Sequence, residues 1–327
     1  MASAEHVGEL YARYATGADA CIVEGMMGMY DGYDRDRGSS AEIARLLNLP
    51  VVLVVDAKSA AYSMAPLLSG FLHFRPEIRI AGVIFNRVGS PRHYEMLQEV
   101  CSELGISCLG YLPKRENLVQ ESRYLGLDFS RSGGTDALEE LTALIETHID
   151  YTRLLEETML PVPIPSTPDT FRQGDLKISV ACSAESFSFI YQEHLDILRR
   201  LGTVTFFNPE HNRPLPKGTD LLYLPGGYPE KCHTRLSRAW RRMQSVRNYA
   251  EAGGRVLAEC GGMIYLSKGI LFDRPEHPGI ATGPQTGVFP FYISSRKADR
   301  RLTLGYRSFD YNGPVSYTHL RAHETPE

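Results

Sequence analysis

The 327-residue chain has only six cysteines, and no two of them form a C-x-x-C pair. That is too sparse for a disulfide scaffold and lacks zinc-ribbon spacing, so a reducing cytoplasm is the expected compartment. Long apolar runs are missing too. The longest, Pro50 to Val55, falls far short of the roughly 18 residues of a membrane span. The start, Met1-Ala-Ser-Ala-Glu-His, has neither the basic residues nor the apolar stretch of a secretion signal. A basic excess is absent as well: the net charge is −4, so neither a nucleic-acid nor a membrane partner is expected. What is present is apolar material, 43% of residues, enough for about two domains of roughly 150 residues each.

Strand-length apolar runs alternate with helical patterns through the first half: Ala20 to Val23, Val51 to Val55, Ile80 to Phe85 and Cys108 to Tyr111. Continuous Val/Ile/Leu runs suit strands buried on both faces of a parallel sheet. Ser39-Ser40-Ala41-Glu42 reads as a capping box, and Ser90-Pro91 as an N-cap with proline in the first helical position. A Leu-rich helix is expected from Asp136 to about Met159, followed by Pro161, Pro163, Pro165 and Pro168. This density of proline favours an extended linker, placed at 151–176 between a domain at 1–150 and a second at 177–313. The second repeats the grammar, with strands at Ile178 to Ala181, Val204 to Phe207, Leu221 to Leu224 and Arg255 to Cys260. Two doubly wound α/β domains follow from this order.

The most informative segment is Val256-Leu257-Ala258-Glu259-Cys260-Gly261-Gly262-Met263. A strand ends at a thiol with small residues two positions away on either side, and an apolar helical pattern follows. That is the layout of a nucleophile elbow, where small neighbours let the chain turn sharply and expose the side chain. A helix N-terminus there favours a thiolate. The amides of Gly261 and of Gly226-Gly227 are candidates for an oxyanion site, with Gly227 the nearer choice. The competing reading is a buried structural cysteine, which is how Cys21, Cys101 and Cys108 are read. Glu24 ends an apolar run and is followed by glycines, a place for a carboxylate to meet a metal-bound phosphate, or simply a capped strand end. Asn86 follows another run and is either a binding residue or a turn former beside Gly89. Lys58, Arg87, Arg92, Lys114 and Arg115 follow strands closely enough to face an acidic substrate, though each alone reads as a solvated surface residue.

Leu222-Tyr223-Leu224-Pro225-Gly226-Gly227-Tyr228-Pro229-Glu230 and Ala258-Glu259-Cys260-Gly261-Gly262 resemble the glutaminase domain of the cobyrinic acid a,c-diamide synthases. Glu24 to Gly32, Gly38 to Ala41, Val55 to Lys58, Asn86 to Ser90 and Gly110 to Pro113 resemble the synthetase domain of that family, in order and at similar spacing. The resemblance implies a P-loop-type synthetase domain followed by a flavodoxin-like class I glutaminase domain. It further implies ATP and Mg2+, with Asn86 at the adenine and Glu24 as metal ligand or catalytic acid. Glutamine would be hydrolysed at Cys260, and its ammonia used to amidate the a and c carboxylates of cobyrinic acid or a related corrinoid. Alternatives are hydrogenobyrinic acid or nickel sirohydrochlorin as substrate, the sister cobyric acid synthase, or a non-enzymatic half of a split protein.

Against the family pattern, the dipeptide Gly-Lys occurs nowhere, so the phosphate-cradling G-x-x-x-x-G-K-[ST] loop is missing and the synthetase domain is expected to be incomplete. A histidine-bearing segment is expected after Leu304-Gly305-Tyr306-Arg307 and is also missing. Residues 314–327 instead resemble translated adapter read-through and are expected to be a non-native tail, His319 and His323 included. Truncation at both ends is therefore the expectation, and an inactive fragment its consequence. Cys182 stands where the family usually has Arg, which leaves the substrate contacts implied near Glu185 and Phe187 open.

Overall fold

A computed structural model of the chain describes residues 3–118, 122–123, 126–127, 134–161, 174–273 and 280–299. The chain divides into two units, 1–168 and 169–327. In the first, α1 (Ala4–Ala15) and α2 (Ser40–Leu46) precede a parallel sheet of β1 (Val51–Asp56), β2 (Ile80–Val88) and β3 (Cys108–Pro113), in that spatial order. The crossovers are α3 (Met64–Phe74) and α4 (Pro91–Leu104). Leu53, Val55, Val83 and Phe85 are buried against Leu68 of α3 and against Leu97, Val100 and Cys101 of α4. Both expected caps form: Ser39 Oγ accepts from the Glu42 amide and Ser90 Oγ from the His93 amide, each at 3.2 Å. The Glu42 carboxylate reaches back to the Gly38 amide, one residue beyond the usual partner.

Three expectations need correction. Ala20–Val23 forms no strand; the segment is exposed coil, with Ile22 93% accessible and Cys21 exposed rather than buried. An apolar run becomes a strand only where another backbone can satisfy its N–H and C=O groups, and among the described residues none pairs with it. β1 is likewise not buried on both faces, since Val54 is 65% exposed. Finally, the single helix expected to Met159 is two, α5 (Gly134–His148) and α6 (Tyr151–Thr158), after a short hairpin of β4 (Ser122–Arg123) and β5 (Gly126–Leu127). Asp150 caps α6 by accepting from the Arg153 amide at 3.0 Å. Arg79 donates to the Glu157 carbonyl at 3.1 Å, and Ser107 to the Glu157 carboxylate at 2.9 Å. Residues 151–158 are thus a packed part of the first unit rather than linker; the prolines at 163, 165 and 168 lie outside the described residues.

The second unit has a parallel sheet of β6 (Leu176–Ala181), β7 (Gly202–Phe207), β8 (Leu221–Leu224) and β9 (Arg255–Ala258), ordered β7-β6-β8-β9. Alternation sends Tyr223, with Ile178 and Val180, toward Leu198 of α7 (Gln192–Leu201). Leu222 and Leu224 go to the other face, against Leu236 of α8 (His233–Arg238), Val246 of α9 (Trp240–Glu251) and Tyr265 of α10 (Gly261–Leu266). β10 (Gly269–Asp273), β11 (Ile280–Pro284) and β12 (Tyr292–Ser294) form a small mixed sheet in the order β11-β10-β12. Helices on both faces with this strand order agree with the flavodoxin-like expectation. The expected tail and the Leu304 to Arg307 stretch lie outside the described residues. Among those described, no helix is long and apolar enough to cross a membrane.

Candidate active site

β9 ends beside β8, where the Glu259 amide donates to the Leu224 carbonyl at 3.0 Å. The next residue, Cys260, has φ 47° and ψ −110° and caps α10; its side chain is exposed. This conformation is uncommon for a residue with a Cβ and costs on the order of 1–3 kcal/mol, so the surroundings must enforce it. They do so through close backbone packing. The Gly262 amide closes the turn onto the Glu259 carbonyl at 2.7 Å. A Cβ on Gly262 would lie 2.1 Å from the Leu224 oxygen, and one on Gly261 would lie 2.7 Å from the Gly227 oxygen. Glycine is therefore sterically required at 261 and 262, the second of these being one of the two small positions read from the sequence.

The facing wall is Gly226-Gly227 after β8. A Cβ on Gly226 would stand 3.6 Å from the Cys260 Cβ and 3.1 Å from that of Phe189. Phe189 donates its amide to the Gly226 carbonyl at 3.1 Å, and its ring meets Tyr228 edge-on at 5.2 Å. Cys260, Gly261, Gly227 and the two aromatic rings thus converge at the carboxyl edge of the sheet. Among the described residues, neither the Gly227 nor the Gly261 amide is engaged in a backbone hydrogen bond.

Two side-chain networks flank this wall. On one side the Tyr223 hydroxyl lies 3.1 Å from His194 Nδ1 and donates to the Glu259 carboxylate at 3.4 Å. Burial and the Glu259 charge hold the Tyr223 hydroxyl above the ordinary phenol range. On the other, the Arg235 guanidinium pairs with Glu185, and its Nε with Glu210 at 2.6 Å. Ser186 donates to Glu210 at 2.8 Å and shares a 2.6 Å hydrogen bond with Ser183, whose Oγ accepts the Ser186 and Phe187 amides. Cys232, buried beside Arg235, is pushed up to about 11 by burial and by Glu210. Phe187, weighed with Glu185 as a substrate neighbour, is fully buried and packs edge-on against Tyr265 at 5.5 Å. His194, Phe189 and Arg235 were not singled out from sequence; for Tyr228 its place beside the glycine pair was the available signal, and Phe189, 37 residues before Gly226, carried none.

In the first unit, Asp56 and Asn86 are register partners at the carboxyl ends of β1 and β2. Asn86 lies within β2 rather than in a turn, and its Oδ1 accepts the Arg87 amide at 2.9 Å. Arg87, at φ 59°, folds its guanidinium onto Asp56, with Nε 2.7 Å from the carboxylate. Arg92 is 2.8 Å from Glu95 and Lys114 3.2 Å from Glu116. Glu24 does not end a strand: it is exposed on the coil, and a Cβ on the next residue, Gly25, would stand 2.7 Å from Ser40 Oγ.

Residues 177–325 match the model of the CobB/CobQ-like glutamine amidotransferase domain, and residues 3–122 that of an AAA domain. The chain is 41% identical over 276 residues to the cobyrinate a,c-diamide synthase of Caldanaerobacter subterraneus subsp. tengcongensis, covering 83% of this chain and 61% of that protein. It is 37% identical over 314 residues to the hydrogenobyrinate a,c-diamide synthase of Brucella abortus, covering 94% and 70%. For the hydrogenobyrinate a,c-diamide synthase of Mycobacterium bovis the values are 36% over 320 residues, 92% and 66%.

Proposed function

Because the chain belongs to the family of cobyrinate and hydrogenobyrinate a,c-diamide synthases, we propose that it serves the ATP- and glutamine-dependent amidation of the a and c side-chain carboxylates of cobyrinic acid in cobalamin biosynthesis. The names of the Brucella and Mycobacterium relatives support hydrogenobyrinic acid as the second substrate reading. The observation that carries the proposal is Cys260, exposed at a strained turn against Gly226-Gly227.

Cys260 Sγ attacks the carboxamide carbon of glutamine, and the developing oxyanion is met by the Gly227 and Gly261 amides. Collapse expels ammonia and leaves a glutamyl thioester, which water hydrolyses to glutamate and the free thiol. In the synthetase half, a corrinoid carboxylate attacks the γ-phosphorus of ATP to give an acyl phosphate and ADP. Ammonia then displaces phosphate to form the amide. Asn86, whose Oδ1 holds the Arg87 amide, keeps its amino group for an adenine ring nitrogen. Glu24 offers one exposed carboxylate, a donor set that suits Mg2+, which keeps most of its shell as water and phosphate oxygens. When bound, the ion neutralises phosphate charge. We place the reaction in the cytoplasm, where ATP and a reduced thiol are both available.

The test is made on the chain joined to the family's phosphate-cradling loop and histidine-bearing segments, and compares amidation of a corrinoid acid with glutamine and with ammonium as nitrogen donor. Cys260→Ala is expected to abolish the first and spare the second. Equal loss of both overturns the role of Cys260.

A further inference from the structure

His93 lies in the first turn of α4, where Ser90 Oγ accepts its amide, and its ring is half-buried. Nδ1 accepts the Gly89 amide at 3.2 Å, and Nε2 lies 2.6 Å from the Ala60 carbonyl. Each partner has a single role, since an amide N–H donates and a carbonyl accepts. Nδ1 must therefore keep its lone pair and Nε2 its proton, which fixes the ring as the neutral Nε2–H tautomer. Its two partners belong to different segments. Ala60 closes the turn after β1, its amide donating to the Ala57 carbonyl at 3.2 Å, while Gly89 directly follows β2. Next to the strands these segments are already joined: the Ala57 amide donates to the Asn86 carbonyl at 2.9 Å, and Asp56 Oδ1 accepts both Arg87 Nε and the Lys58 amide. Farther out, the His93 ring spans from one to the other. Among the described residues the Gly89 amide has no backbone partner, so the ring is what holds it. Ser59 and Arg87, each at φ 59°, mark both segments as conformations that neighbours must enforce. The carboxyl edge of a parallel sheet, where they lie, is where ligands of such folds bind.

We propose that His93 is a positioning residue for the nucleotide edge of the first unit. Its neutral ring clamps the turn at 57–60 to the segment at 86–90, and so holds Asn86 in the setting that meets adenine. The inference rests on the reading of Asn86 as the adenine contact. In this role His93 touches no substrate atom; it acts through Gly89 and Ala60.

The test has two parts. On the full chain carrying 15N-labelled histidine, the long-range 1H–15N spectrum at neutral pH is expected to show an Nε2–H ring whose signals are missing from His93→Gln. A His93 ring found as the Nδ1–H tautomer or as an imidazolium overturns the clamp. On the joined chain used for amidation, His93→Leu keeps the bulk and loses both partners. It is expected to raise KM for ATP about fivefold, the scale of one lost hydrogen bond, with KM for glutamine unmoved. His93→Asn, whose Oδ1 can accept the Gly89 amide, should recover part of that loss. Asn86→Ala is the reference. If it raises KM for ATP while both His93 variants leave it unchanged, the positioning role is overturned and the nucleotide reading stands. If none of the three raises it, the nucleotide reading falls and the inference with it. Should His93→Leu fail to fold, His93→Asn and the tautomer spectrum decide.

Discussion

The Tyr223 hydroxyl donates to the Glu259 carboxylate across 3.4 Å, joining the α7 side of the sheet to the residue immediately before the strained Cys260. The tyrosine ring is buried among Ile178, Val180 and Leu198, so the donor is anchored in the core. A turn at a costly φ is held by such neighbours rather than by its own preference.

Stability at high pH reads this contact. An unfolded tyrosine ionises near pH 10, whereas burial and the Glu259 charge keep folded Tyr223 protonated above that. The folded state therefore binds more protons above pH 10, and its stability falls as pH rises through that region. Tyr223→Phe removes this contribution. The variant is expected to lose roughly 1 kcal/mol at pH 8, where a hydrogen bond is missing. It should then fall less steeply than the unsubstituted chain between pH 9.5 and about 11. Urea midpoints across that range measure both slopes, and parallel slopes refute the assignment.

Glycine substitutions separate required from tolerated positions. Gly262→Ala places a methyl 2.1 Å from the Leu224 oxygen, whereas a methyl on Gly70, on the exposed side of α3, meets nothing within 4 Å. Gly262→Ala is expected to destabilise the second unit by more than about 2 kcal/mol, in line with overpacking of a closed backbone. Gly70→Ala should stabilise the first by up to about 1 kcal/mol through helix propensity. Chemical denaturation followed by peptide-resolved proteolysis assigns each change to its unit.

Thiol alkylation distinguishes the two cysteines of the second unit that lie near the glycine wall and Arg235. Cys260 is exposed, while Cys232 is buried and its ionisation is deferred to about 11. With iodoacetamide at pH 8, Cys260 is expected to react within minutes and Cys232 to remain unmodified until the chain is unfolded. Mass mapping reads the two directly.

How much of this was legible depended on whether the cause was local. The Cys260 turn was readable because its steric demand falls on Gly261 and Gly262, adjacent in sequence, and the Ser39 and Ser90 caps because each acts over three residues. Ala20–Val23 misled because an apolar run states a preference for burial and says nothing about whether a pairing backbone exists. The break between α5 and α6 was written in Asp150, a good N-cap, yet apolar periodicity runs through it and concealed the boundary. His194, Tyr223 and Glu259 meet across 29 and 36 residues. Such meetings are set by packing, which composition and periodicity do not encode.

Arg235 gives the last prediction. Its guanidinium bridges Glu185 and Glu210, and Glu210 in turn holds Ser186, whose carbonyl would lie 2.2 Å from a Cβ on Gly227. The bridge therefore braces the Ser183 to Phe187 turn, which leads into Phe189 at the wall facing Cys260. A lysine keeps the charge but cannot present two separated N–H groups to two carboxylates. Because the guanidinium is half exposed, solvent screening limits the stability cost of Arg235→Lys to about 1 kcal/mol. The effect on the pocket should be larger. Labelling of Cys260 by a diazoketone analogue of glutamine, which must fit between Gly227 and the aromatic rings, is expected to slow about tenfold, the equivalent of roughly 1.4 kcal/mol. Labelling by iodoacetamide, which needs only an accessible sulfur, should change less than twofold by the same scale. If both reagents slow equally, Arg235 acts on the thiol itself and not on the wall that positions the substrate.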